Sequence, residues 1–217
     1  MYNLIFALLL ITSNPILSRA YELGTVEGSA RVQLASRSFS MEKRYDNEST
    51  NAVFRDNILL TLHYMNGNVT SKEGVVWKDI QKPARFEFTL KPNEGFAFHD
   101  QISAEFEGKI VKTTNAHFNF QDGFKTSGLL YGDGVCHLAS FIHMVALEAG
   151  LTSISEVNHD FAKINEVSRE FGVSIKYVPG EFANSSRQNL YVINNKLEPV
   201  TFVLDYDGVN LTVAVEQ

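Results

Sequence analysis

At 217 residues, with 44% hydrophobic and 12% aromatic side chains, the chain can bury a full core, which excludes a disordered or low-complexity polymer and makes one domain the default. Its formal net charge of -6, with no Lys/Arg run longer than Lys43-Arg44, offers no basic stripe for counterion release, so nucleic acid is not an expected partner.

The first twenty residues differ from the rest. Leu4 to Thr12 is an almost unbroken apolar run, and Ser18-Arg19-Ala20 ends on a small residue, the pattern of a secretory signal cleaved after Ala20, with a short N-terminal anchor or a buried helix as the alternative. The run falls well short of the ~20 residues that span a bilayer, so no transmembrane segment is expected after cleavage. The expected location is secreted or cell-envelope. Residues 21–51 read as an N-terminal extended arm, with partial alternation from Thr25 to Phe39 and a polar loop from Ser40 to Asn51. Residues 52–217 form the expected domain. Phe54, Ile58, Leu59, Leu62 and Met65 recur at three- and four-residue steps, an amphipathic helix ended by Asn66-Gly67. Ala84 to Leu90 alternates as a strand, and Lys91 to Gly95 forms the turn after it. Residues 102–131 hold short extended pieces, among them Ile110-Val111 and Phe118 to Phe120. Val135 to Ala149 has helical spacing and stops at Gly150. A further helix is expected from Asp160 to Phe171, capped by Asn158 or Asp160 and ended by Gly172. The remainder reads as strands: Val173 to Val178, Asn189 to Ile193, Val200 to Asp205 and Val209 to Val215, with a turn at Tyr206-Asp207-Gly208. Helices placed before a terminal antiparallel run predict an α+β fold, with a Cys-bearing helix on a mainly antiparallel sheet.

Chemistry concentrates on Cys136, the one cysteine of the chain. Two glycines in Gly132-Asp133-Gly134 directly precede its helix, which places the thiol in the first turn. There, unpaired N–H groups and the helix dipole favour a thiolate and supply an oxyanion hole. Composition alone favours instead a small, inert, packed cysteine. A nucleophile needs a base. His137 points about 100° away from Cys136 on the helix, and His143 lies two turns further along it, so His159 in the polar segment after the helix is the candidate. Cys followed by His is the order of papain-like and transglutaminase-like enzymes. Asp160, Glu181, Asn184 and Asn189 are open as orienting residues. No H-x-x-x-H or C-x-x-C spacing supports a metal site, and no cofactor is implied. Gly132, Asp133, Gly134, His137 and Ser140 are the candidate binding residues.

Gly132-Asp133-Gly134-Val135-Cys136 with Ala139-Ser140 and Ala149-Gly150-Leu151 resembles the Cys-helix segment of the VanW family. Arg55-Asp56-Asn57-Ile58 with Met65-Asn66-Gly67, Lys91 to Phe98, Tyr177-Val178-Pro179-Gly180 and Leu190 to Val215 are similar to further family segments in the same order, covering roughly residues 52–216. The chain departs from the family pattern at Asp133, at His137 in place of Gln, and at Gly180-Glu181-Phe182-Ala183, which lacks the Asp of the family's G-R-D-A. The resemblance implies an exported bacterial protein in a cell-wall context, with wall peptide or glycan as partner. Two readings stay open. One is a cysteine-dependent acyl-transfer enzyme using Cys136 and His159. The other is a non-catalytic wall- or partner-binding module with a structural Cys136 and an aromatic groove of Phe96, Phe98, Phe118, Phe120 and Tyr131.

Overall fold

The computed structural model describes residues 31–128 and 132–217. The expected signal (1–20), the start of the arm and Tyr131 lie outside the described residues. The fold is α+β. Strand β1 (Gln33–Ser40) leads into helix α1 (Glu48–Met65); the short helix α2 (Trp77–Ile80) precedes strands β2 (Ala84–Leu90), β3 (Gly95–Ala97) and β4 (Ile110–Lys112). Helix α3 (Val135–Glu148) is followed by β5 (Thr152–Ile154), helix α4 (Phe182–Arg187), β6 (Tyr191–Ile193), β7 (Val200–Tyr206) and β8 (Asn210–Glu216).

One sheet has the order β1-β8-β7-β2 and is antiparallel throughout; the other, β4-β3-β6-β5, is antiparallel except for the β3–β4 pair. In β2 the pleat sends Phe86, Phe88 and Leu90 inward and Arg85, Glu87 and Thr89 to solvent, as the alternation requires. The β7–β8 hairpin turns on Asp207, whose Oδ1 accepts from the Val209 and Asn210 amides at 2.8 and 2.7 Å. Residues 33–40 of the expected arm are an edge strand paired along β8, and Phe39 stacks on Phe141 of α3 with ring centroids 3.9 Å apart.

Helix α1 begins six residues earlier than the apolar spacing indicates, because the Asn47 side chain accepts from the Thr50 amide and caps it. Helix α3 packs against β1 and β8 of the first sheet, β5 of the second, and α1. Every residue from His137 to Ala146 is buried, so α3 is an interior helix rather than one laid on a surface. Phe88 joins the two sheets by stacking on Phe202 at 4.9 Å and on Phe96 at 5.0 Å. Phe96, Phe98 and Phe118 are therefore core residues and not the walls of a groove. Phe120 is exposed, with the Lys72 ammonium over its ring.

Two expectations from the sequence are corrected. Residues 160–171 are not a helix: apart from the 3₁₀ turn Arg169–Phe171 they run as a loop, with Glu166 at φ 67°. Asn165 Nδ2 donates to Lys43 O at 2.7 Å, Arg44 donates to Asn165 O at 3.1 Å, and Arg44 also pairs with the Glu166 carboxylate. These bonds to the segment after β1 outcompete the helical ladder. Residues 173–178 are extended but join neither sheet. Among the described residues, no helix is long and apolar enough to cross a membrane.

Candidate functional site

The turn before α3 is built by close backbone contact. Gly132 and Gly134 have φ of 81° and 103°, a region that L side chains rarely adopt. A Cβ on Gly134 would lie 2.6 Å from Phe54 O of α1, and one on Gly132 would lie 2.9 Å from Phe118 O. Asn57, fully buried in α1, fastens the same region: its Nδ2 donates to Asp133 O at 2.9 Å and Lys125 O at 3.1 Å, and its Oδ1 accepts from the Lys125 amide at 2.9 Å. The Asp133 carboxylate accepts from the Ser127 amide at 2.8 Å and from the Ser127 hydroxyl. In the first turn of α3 the Val135, His137 and Leu138 amides donate back to Gly132 O and Gly134 O. Most of the donors expected of an oxyanion hole are thus already engaged.

Cys136 and Ser140 are four residues apart and share a helix face, where the rise between them is about 6 Å. Residues two apart in an extended chain advance by nearly the same distance, about 6.6 Å. The segment 173–178 uses this match. The Val173 amide donates to Ser140 Oγ at 2.9 Å, and the Ile175 amide donates to Cys136 Sγ at 3.4 Å. The thiol in turn donates to Ile175 O at 3.8 Å, and the Ser140 hydroxyl donates to Cys136 O at 2.7 Å. Alternate amides turn the other way, Ser174 to Val157 O at 2.9 Å and Lys176 to Gln188 O at 3.0 Å, while Val178 donates to Ser185 Oγ at 3.0 Å. A part-buried segment that reads as a strand thus has the amides of Val173, Ser174, Ile175, Lys176 and Val178 satisfied by helix side chains and backbone carbonyls outside both sheets.

Cys136 is half-buried, and burial pushes its thiol up to about 11; the neighbouring Asp133 charge acts in the same direction and the Ile175 amide opposes it. A thiol held neutral in this way is a weak nucleophile at neutral pH. His159 is turned elsewhere. Its Nδ1 bonds Ala162 O at 3.2 Å, its ring lies 4.0 Å from that of Phe161, and burial lowers its pKa. Among the described residues no hydrogen bond joins it to Cys136. Nor does any of the four candidate orienting residues bond His159. Asp160 lies beside Arg169, Glu181 holds Asn184 and Lys176, Asn184 also bonds Gln188, and Asn189 is bound into the backbone of residues 99–101. His137 is buried between Phe54 and His159, ring centroids 5.0 and 6.2 Å away. Its Nδ1 has no hydrogen-bond partner, and burial, with Arg44 and His159 nearby, pushes its pKa down to about 3. Among the described residues no group of three or more His, Cys, Asp or Glu side chains is placed to hold a metal ion.

The sequence-predicted residues therefore fall into two sets. Gly132, Asp133, Gly134, Cys136 and Ser140 form one framework. His137 is buried against His159, and His159 lines a neighbouring recess of about 380 Å³ walled by the loop from His159 to Gly172. Sequence reasoning about chemistry passed over Asn57 and Ile175. Asn57 was visible as a polar residue inside an apolar helical run, whereas a backbone partner such as Ile175 leaves no mark in the sequence. No protein-family pattern, curated protein or solved structure matches the chain. The papain-like or transglutaminase-like variant of the α+β expectation is thus without support.

Proposed function

We propose that the chain is a non-catalytic, VanW-like module of the exported cell envelope that binds wall peptide or glycan, with Cys136 as a framework group. One observation carries the choice against an acyl-transfer enzyme: the Cys136 sulfur is bonded on both sides to the Ile175 backbone while His159 bonds Ala162. A nucleophile needs a free sulfur and a base within hydrogen-bond reach. The VanW-like order of segments and the apolar run at Leu4 to Thr12 supply the envelope context. The Asn57 clamp on the Gly132-Asp133-Gly134 turn gives a structural reason for two of those segments to occur together.

The test is co-sedimentation of the full chain, wild type and Cys136→Ser, with insoluble peptidoglycan sacculi, together with analysis of the soluble fraction. Both forms are expected to sediment equally within about twofold and to release no peptide or sugar, since a Ser hydroxyl can take over both bonds to Ile175. Release of wall fragments by the wild type alone would restore the enzyme. Absence of sedimentation by either form would remove wall binding.

A further inference from the structure

We infer that the recess walled by residues 159–172 is a ligand site for the C-terminal carboxylate of a short peptide ending in small apolar residues. The inference rests on the wall-binding reading and names the chemistry of its ligand. At about 380 Å³ the recess lies at the lower end of the range for small-molecule sites, enough for a dipeptide end and too small for a long acyl chain. Its apolar wall is Phe161, Ile164 and Val167. Phe161 is 77% exposed and braced by the His159 ring, an apolar surface among the described residues.

Charge selects the ligand's polar end. The carboxylates of the loop are accounted for: Asp160 lies 3.8 Å from the Arg169 guanidinium, Glu166 is taken by the buried Arg44, and Glu170 is not part of the recess wall. Arg169 also donates to Asp160 O at 3.3 Å. Lys163, exposed on the recess wall, has neither an ion pair nor a hydrogen bond among the described residues. One uncompensated ammonium beside an apolar wall recognises an anion attached to an apolar group. Ser168, a residue of the same wall, carries a hydroxyl of the type that pairs with a peptide amide, which a fatty acid lacks.

The experiment is a titration of the full chain with N-acetyl-alanyl-alanine and with its C-terminal amide, followed by ¹H–¹⁵N NMR. Wild type and the variants Lys163→Ala, Lys163→Arg and Phe161→Ala are compared, and N-acetylglucosamine serves as the other wall chemistry. The free acid is expected to give saturable shifts centred on His159 to Gly172, weakened about tenfold by Lys163→Ala or by amidation and retained by Lys163→Arg. Phe161→Ala, at an exposed position, is expected to weaken the same response without unfolding. Equal binding of acid and amide, an unaltered response in Lys163→Ala, or saturation by the sugar in place of the peptide would overturn the assignment. Sacculus binding with no peptide response would overturn the recess and leave wall binding intact. A peptide response without sacculus binding would support the recess and remove the wall.

Discussion

His99, His137 and His143 sit in the interior as neutral imidazoles, with burial pushing their pKa values down to about 4, 3 and 4. Ring nitrogens of His99 and His143 face Gln188 O at 3.2 Å and Ser153 Oγ at 2.7 Å, whereas His137 Nδ1 has no partner. Each folded pKa lies below the value of about 6.5 in an unfolded chain. Above that pH neither state holds the extra proton and the fold keeps its full stability. As the pH falls from about 6.5 towards 4, the unfolded chain takes up protons that the folded one refuses, and stability falls by up to about 1.4 kcal/mol per pH unit for each histidine. Urea midpoints measured at pH 7.5, 6 and 5 are expected to drop below pH 6.5, with a shallower drop in His137→Gln; a flat midpoint over that range would mean these rings are hydrated. At this scale the sequence was a partial guide. It placed His137 on a different helix face from Cys136, but the depth of that face depends on Phe54 and Arg44, which reach it from elsewhere in the chain.

Among the elements, α3 was legible because fourteen residues of helical spacing leave one solution, and β7 and β8 because a hairpin is a local structure. The segments 160–171 and 173–178 were misread for a common reason. Both bond to distant partners: in 160–171 the Asn165 carbonyl and the Asn165 and Glu166 side chains bond residues 40–44, and the backbone of 173–178 bonds Ser140, Cys136, Val157, Gln188 and Ser185. Apolar spacing reports which side chains are inside and says nothing of what accepts the amides. The Ser140 link makes a quantitative case. Ser140→Ala leaves the buried Val173 amide without an acceptor, at a cost of about 1–3 kcal/mol, and the added loss of protection should centre on the Val173 and Ile175 amides. Denaturant unfolding and hydrogen exchange measure both. A change under about 0.5 kcal/mol would show that water replaces the hydroxyl and that the segment is not held by α3.

For the whole molecule, the two sheets, α1 and the segment 173–178 converge on α3, so the most buried helix is also the one that carries the cysteine. The α+β class and the position of the Cys helix could be read from residue order. The joining of β1 to β8 could not, because its register links residues 33–40 with residues 210–216 across nearly the entire chain, where local pattern carries no information. The same convergence gives the glycine turn, Asn57, Ser140 and Cys136 one structural role, fixing α3 to α1 on one side and to the extended segment on the other. The most direct test is the pH dependence of Cys136 alkylation by iodoacetamide in the folded full chain, from pH 6 to 11. A framework thiol reacts more slowly than a free cysteine at neutral pH, and its rate climbs without a plateau until the pH nears about 11. A plateau at or below about 8.5, with neutral-pH reactivity above that of free cysteine, would show a thiolate in the first turn of α3 and contradict the framework role.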